Sequence, residues 1–168
     1  MVFAIAARFL PHPPNFAPIA AIALFGVCFL PKRLALILPL LAMLISDFFI
    51  GFYHWPVMLA VYSSFLLVGL WGFWLKKRLK WHNTIFSAFL AGLVFFLITN
   101  FAVWVFTPWY SKTIAGLTQC FIMALPFFKN TLLGNLFYVS SLFGAYQLVL
   151  FWFKQKQRSL CKLAILKK

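Results

Sequence analysis

The chain has 168 residues, of which 65% are hydrophobic and 21% aromatic, and its mean hydropathy is +0.98. Fifteen Lys and Arg stand against a single acidic residue, which gives a formal net charge of +14. So apolar a composition excludes a soluble domain and indicates an all-α integral membrane protein. The length allows about six segments of roughly 20 residues, each able to cross a hydrocarbon core about 30 Å thick.

Apolar stretches separated by prolines and basic clusters are predicted to be the membrane helices. In chain order they cover residues 1–10, 17–30, 34–50, 56–75, 84–106 and 131–153. The N-terminal stretch lacks the basic flank of a signal peptide, so we interpret it as a retained first helix. The segment 113–126 has only about 14 continuous apolar residues before Pro126, too few to span a membrane comfortably.

The basic residues determine the predicted orientation. If residues 113–126 do not cross, the loops at 31–33 and 76–82 share one side with the tail from Lys154 onward, and most basic residues collect there. The positive-inside rule then places both termini in the cytoplasm. Residues 113–126 are accordingly predicted to form a short interfacial or re-entrant helix on the outer face.

The predicted organisation is one transmembrane helical domain, residues 1–153, followed by a basic cytoplasmic tail, residues 154–168. The tail alternates cationic and apolar residues, as an amphipathic segment lying on anionic lipid would. A tail that only fixes the topology is an equally good interpretation.

Asp47 is the only acidic side chain, and it lies inside an apolar run. It is placed about one turn from the outer end of the third predicted helix, where burial and the helix dipole both oppose its charge. Arg8 or Lys129 is therefore the expected counter-ion, unless a ligand cation takes that role. The alternative is an ion pair that merely fixes helix positions.

Other polar residues also gather at the predicted outer surface. Asn100 contacts either a ligand or a neighbouring helix, while Thr131, Asn135 and Tyr138 share one inward face of the last predicted helix. The candidate ligand-binding residues are Asp47, Asn100, Asn15, His12, His54, Trp55, Trp104, Lys129, Asn130, Asn135 and Tyr138. Trp55 also fits an interfacial aromatic belt, together with Trp109 and Tyr110.

Several function classes are not expected. The basic residues fall in short clusters between apolar segments, which argues against nucleic acid as a partner. The three Cys residues are isolated and the three His residues lack metal-ligand spacing, so no disulfide framework, metal site or cofactor is predicted. One Asp with scattered His residues offers no catalytic dyad or triad, so the chain is not expected to be an enzyme.

Four stretches are similar to segments of a known protein family: "PHPPNFAPIAAIALFG", "LPLLAMLISDFFIGF", "ITNFAVW" and "PFFKNTLLGNLFY". With them, the chain resembles a family of small bacterial membrane transport proteins that looks related to the substrate-binding S-components of energy-coupling factor (ECF) transporters. The resemblance covers most of residues 8–146. It implies a six-helix bundle with both termini inside and a ligand site closed by outer loops. The chain departs from the related pattern at Asn135, where that pattern has an acidic residue. Asp47 is therefore left as the only carboxylate.

The resemblance implies capture of a vitamin-like solute, with transport driven by a separate transmembrane coupling protein and two ATPase subunits. The chain has no GxxxxGK[ST] phosphate loop, so ATP chemistry would belong to those partners. The leading expectation is thus a substrate-binding subunit in the bacterial cytoplasmic membrane, and the alternative is a membrane scaffold or assembly protein. An enclosed outer cavity reaching Asp47 and Asn100 would favour transport, whereas close packing there would favour the scaffold.

Overall fold

The computed structural model describes residues 14–166, with side chains up to residue 157. This part of the chain is helical, with short connections between the helices. The helices are α1 (Ile19–Phe29), α2 (Lys32–Ile50), α3 (Trp55–Lys77), α4 (Trp81–Phe106) and α5 (Ile114–Leu166). Helices α2 to α5 are long and apolar enough to cross a membrane, and α1 is a shorter apolar helix. The predicted all-α membrane class agrees with this architecture, while the predicted first helix, residues 1–10, lies outside the described residues.

Proline and glycine residues explain where the helices begin and end. Pro18 and Pro31 immediately precede α1 and α2, and Pro56 lies in the first turn of α3. Proline suits these positions because its fixed φ matches the helix and its missing N–H would have no partner there. Gly51 ends α2 with φ of 113°, a conformation that other residues rarely adopt. The predicted segments 17–30, 34–50, 56–75 and 84–106 lie within a few residues of α1 to α4.

The last helix corrects the sequence interpretation. Residues 113–126 and 131–153 are predicted as separate elements, but the structure joins both in α5, a single helix of 53 residues that continues through Pro126. There is therefore no separate interfacial or re-entrant helix at 113–126. Proline is tolerated inside membrane helices because neighbouring groups and local adjustments satisfy the freed carbonyl. Residues 154–166 of the predicted tail also belong to α5.

The first part of α5 packs against the C-terminal half of α4. The Cys120 thiol donates to the carbonyl oxygen of Asn100 at 3.4 Å, and the rings of Phe96 and Phe121 lie 5.4 Å apart. These contacts extend the interface between α4 and α5 to the beginning of α5. A segment too short to cross alone is thus stabilised as the first part of a longer helix.

Helices α4 and α5 run antiparallel along their shared length. Further along α5, Asn135 Nδ2 donates to the carbonyl oxygen of Ala88 at 3.3 Å, and Phe143 and Gln147 border a small pocket beside the start of α4. Beyond that level, the side chains of residues 148–157 are exposed. The C-terminal part of α5 therefore extends past the bundle, on the side where α3 connects to α4.

The bundle has two ends. The basic end carries the α1–α2 and α3–α4 connections, and the cavity end carries the start of α1 and the α2–α3 and α4–α5 connections. Exposed Lys and Arg side chains mark the basic end: Lys32, Arg33, Lys76, Lys77, Arg78 and Lys80. Small residues are buried near this end, including Cys28 of α1, Gly72 of α3 and Ala88 of α4. At Gly72 of α3, for example, an added Cβ would lie only 3.0 Å from the Cβ of Val27.

Candidate functional site

A partly open cavity of about 370 Å³ lies at the cavity end, between all five helices. The segment before α1, the α2–α3 connection and every helix contribute to its wall. The lining residues are Asn15, Ala17, Ile19, Ala20, Met43, Tyr53, Val61, Phe65, Phe95, Phe96, Thr99, Asn100, Val103, Phe127, Phe128, Thr131 and Asn135. Among the residues that the structure describes, no charged side chain lines this cavity.

Two amide side chains in the wall have fixed orientations. Asn100 Nδ2 donates to the carbonyl oxygen of Phe96 at 2.8 Å, and Asn135 Nδ2 donates to that of Ala88 at 3.3 Å. Because both acceptors are carbonyl oxygens, the donor in each amide must be the nitrogen. Neither Oδ1 accepts a hydrogen bond from a described residue.

Both Oδ1 atoms must retain accessible surface. In the described part of the chain, no fully buried side-chain nitrogen or oxygen lacks a hydrogen-bond partner. Asn100 is partly buried, Asn135 is only 3% exposed, and both line the cavity. Each amide therefore offers one acceptor and one remaining N–H to a molecule in the cavity.

Two threonine hydroxyls add further acceptor capacity. Thr99 Oγ1 donates to the carbonyl oxygen of Phe95 at 2.8 Å, and Thr131 Oγ1 donates to that of Phe127 at 2.9 Å. Each bond satisfies the hydroxyl hydrogen within its own helix, so the oxygen lone pairs remain available. The polar part of the wall is consequently richer in acceptors than in donors.

Aromatic rings form much of the remaining wall. Phe65 of α3 and Phe95 of α4 have ring centroids 5.3 Å apart, and Phe96 of α4 and Phe128 of α5 have centroids 4.5 Å apart. Each pair joins two helices across the bundle. Rings held in this way provide flat apolar surfaces with little freedom to rearrange. The cavity therefore combines rigid aromatic surfaces with a few oriented polar groups, as small-molecule sites commonly do.

Asp47 lies behind the cavity wall and does not line it. Its side chain is 1% exposed, and Oδ2 accepts a hydrogen bond from the Tyr62 hydroxyl of α3 at 2.9 Å. Met43, one turn earlier on α2, is the nearby residue that faces the cavity. Of the two predicted counter-ions, Arg8 lies outside the described residues, and Lys129 is exposed on α5 and forms no salt bridge with Asp47. Asp47 thus connects α2 to α3.

The structure brings three of the predicted amides to one cavity. Asn100 of α4 and Asn135 of α5 both line it, and Asn15 lines it from the segment before α1. Asn15 is exposed and has φ of 65°, a left-handed conformation that Asn adopts more readily than most residues. Three predicted amides therefore line one cavity, whereas Asn130 and Asp47 do not.

Other predicted ligand residues lie outside the cavity lining. His54 and Trp55 are exposed at the start of α3, while Asn130 and Tyr138 are half-buried on α5. The Trp104 indole donates to the carbonyl oxygen of Ser111 at 2.9 Å and so fixes the α4–α5 connection. Lys129 is exposed, and His12 lies outside the described residues.

Several lining residues were not predicted from the sequence. Thr99, Phe96 and Val103 share the cavity-facing side of α4 with Asn100, at helical spacings of three and four residues. Extending that face from Asn100 in both directions would have found them. The aromatic contributions from α3 and α5 had no such signal, because phenylalanine is abundant throughout the chain.

The chain belongs to DUF6580, a family of unknown function, whose model matches residues 1–160. No curated protein and no solved structure matches the chain significantly.

Proposed function

We propose that the chain is a substrate-binding membrane subunit that captures a small, vitamin-like solute in the cavity between its helices. The observation that carries this proposal is the pair of oriented amides, Asn100 and Asn135, whose Oδ1 atoms accept no hydrogen bond from described residues. Polar groups inside an apolar bundle are costly unless a partner satisfies them. A bound solute would supply that partner.

The solute is proposed to be flat, neutral and equipped with an amide-like edge. An acceptor oxygen and a donor N–H on one Asn side chain match the N–H and C=O of a lactam or a similar ring edge. The paired rings of Phe65, Phe95, Phe96 and Phe128 would contact its faces. The absence of charged side chains from the described lining favours a neutral molecule, because a buried charge would need an opposite one.

The cavity end is proposed to face outwards from the bacterial cytoplasmic membrane, with both termini in the cytoplasm. Support comes from the basic side chains that mark the opposite end, since cytoplasmic loops carry the excess of Lys and Arg. In the manner of ECF S-components, which the chain resembles, transport would then depend on a coupling protein and two ATPase subunits. The chain has no phosphate loop, which is consistent with ATP hydrolysis by separate subunits.

A thermal-shift screen with a blocked-cavity variant tests the proposal. Neutral flat vitamins and nucleobase-like compounds are added to the purified protein, where a ligand at 100 times its Kd stabilises by about 2.7 kcal/mol. Val103→Trp places an indole in the cavity and should abolish the shift. Val105→Trp is the matched control, because Val105 is half-buried on the same helix but does not line the cavity. Equal shifts in both variants would place binding elsewhere.

A membrane scaffold or assembly protein is the second candidate. The Asp47–Tyr62 hydrogen bond favours it, because here the single carboxylate holds two helices together behind the cavity wall. Under that function no compound would stabilise the wild type more than it stabilises Val103→Trp. The same screen therefore distinguishes the two functions.

A further inference from the structure

A second concave site lies in the half of the bundle nearer the basic end, in a groove between α3 and α4. Its volume is about 420 Å³, and its lining is almost wholly apolar, including Leu67, Trp71, Trp74, Leu90 and Val94. The Trp71 indole N–H is satisfied by Ser87 Oγ at 3.1 Å. The groove therefore offers apolar surface without an unsatisfied polar group, which suits a hydrocarbon chain.

Cationic side chains lie where the groove reaches the basic end. The Arg78 guanidinium lies over the Trp74 ring, with Cζ 5.5 Å from the centroid. Lys77 follows Trp74 by three positions and so extends the same face of α3. Asn83 Nδ2 donates to the carbonyl oxygen of Arg78 at 2.6 Å, which ties this connection to the start of α4. Lys77 and Arg78 are both exposed.

These cations have no acidic side chain to pair with in their own chain. Asp47 is the single acidic residue, and it is buried near the cavity end with the Tyr62 hydroxyl on its Oδ2. An acidic group other than a chain terminus that pairs with Lys77 and Arg78 must therefore belong to another molecule. A phosphate is well suited, because the planar guanidinium can donate two parallel hydrogen bonds to it.

We propose that the groove and the two cations form one binding site for an anionic phospholipid. One acyl chain lies along the groove, and the headgroup phosphate lies against Arg78 and Lys77. The distance along α3 from Trp74 to Leu67 is about 10 Å, within one leaflet of a hydrocarbon core about 30 Å thick. The basic end is thus both an orientation signal and a lipid-binding site. This inference is independent of the solute proposed for the cavity.

Native mass spectrometry in detergent tests the headgroup contact. The full chain is titrated with an equimolar mixture of phosphatidylglycerol and phosphatidylcholine, and we expect a preference for phosphatidylglycerol. The double variant Lys77→Ala, Arg78→Ala should lower phosphatidylglycerol affinity about tenfold or more, the effect of losing about 1.5 kcal/mol or more. Its matched control is Lys154→Ala, Lys156→Ala, which removes the same charge from the exposed extension of α5, where Lys156 also lies over a Trp ring. Equal losses in the two double variants would overturn the proposal, because they would indicate general charge attraction.

A second pair of variants tests the acyl-chain contact. Leu67→Trp fills the groove and should lower phosphatidylglycerol affinity several-fold, whereas Leu66→Trp changes an exposed neighbour outside the groove and should not. Circular dichroism melting of each variant confirms that the helices are intact. Unchanged lipid binding in a folded Leu67→Trp protein would overturn the proposal. If that variant instead lost a co-purified protein, the groove would be a protein interface.

Discussion

The cavity end and the basic end of the bundle are formed by the same helices, yet they differ in packing and in polarity. At the basic end, Ala and Gly residues let α1, α3 and α4 approach closely, as they do where an added Cβ on Gly72 would meet Val27. At the cavity end the helices separate around about 370 Å³ of space. Three amides and two threonine hydroxyls face that space, whereas the buried Thr84 and Ser87 near the basic end form hydrogen bonds within the bundle.

The cavity end is the part of this chain where burial is incomplete. Association of membrane helices depends on close packing, because lipid tails are as apolar as the helix surfaces. At the basic end, the close approach of α3 to α1 at Gly72 meets that requirement. At the cavity the helices are separated from one another, and a solute can form hydrogen bonds with the polar groups there. Changes in the packed core near the basic end should therefore reduce stability, and changes to the side chains that line the cavity should reduce binding.

The largest expected effect is on packing at the basic end. Gly72→Leu forces a side chain against Val27, whose Cβ and both Cγ atoms lie within 3.4 Å of the position of an added Cβ. Overpacking of this kind costs about 1–3 kcal/mol, so the melting temperature in detergent should fall markedly. Gly144→Leu is the matched control, since nothing lies within 4 Å of an added Cβ there. Similar melting temperatures for the two variants would contradict the close packing described at the basic end.

The next effect concerns the carboxylate behind the cavity wall. Tyr62→Phe removes the hydroxyl that donates to Asp47 Oδ2 and should lower the free energy of unfolding by about 1–2 kcal/mol. Affinity for a compound identified in the thermal-shift screen should stay unchanged, because neither residue lines the cavity. Tyr146→Phe is the control, since the Tyr146 ring packs on Phe29 and its hydroxyl makes no hydrogen bond among the described residues. Loss of binding with unchanged stability in Tyr62→Phe would instead assign Asp47 to the ligand site.

An amide in the cavity wall should affect binding and leave stability nearly unchanged. Asn100→Leu keeps a side chain of similar size but removes the Oδ1 acceptor, and affinity for the same compound should fall about tenfold, or about 1.4 kcal/mol. Asn130→Leu serves as the control, because it removes a half-buried amide from α5 that does not line the cavity. Titration of both variants measures the difference. Equal affinities would show that the Asn100 amide does not contact the solute.

The smallest expected effect is at the α4–α5 connection. Lys112 Nζ donates to the carbonyl oxygens of Trp104 and Thr107, so a cation satisfies acceptors at the C-terminal end of α4. Lys112→Met should cost about 0.5 kcal/mol of stability, the typical value for a cation at the negative end of a helix dipole. Lys129→Met, a change at an exposed position on α5, should cost less. High salt should reduce the difference between the two melting temperatures, and a difference that salt does not alter would argue against a helix-dipole effect.

Local chemistry made most helix boundaries predictable. Pro18, Pro31 and Gly51 mark helix ends because of backbone geometry, which each residue carries wherever it occurs. Pro126 was misleading for the same reason: its local preference to interrupt a helix was overridden by packing of α5 on α4. That packing depends on residues distant in the sequence, so the local pattern contained no sign of it.

The candidate site was predictable only in part. Asn100 and Asn135 stood out because amides are rare in apolar helices, and both line the cavity. Asp47 stood out more strongly, yet its buried position beside Tyr62 depends on how α2 and α3 pack together. Composition can thus identify an unusual side chain in a membrane segment. Whether that side chain faces a cavity or a neighbouring helix is decided by tertiary contacts.

The length of α5 places a mechanical constraint on the molecule. A straight helix of its 53 residues would measure about 80 Å, more than twice the thickness of a hydrocarbon core about 30 Å deep. The residues of α5 that line the cavity, from Phe127 to Asn135, and the exposed extension beyond Gln147 are parts of one continuous rod. A small change in the tilt of α5 at the cavity would therefore displace its C-terminal end by a larger distance.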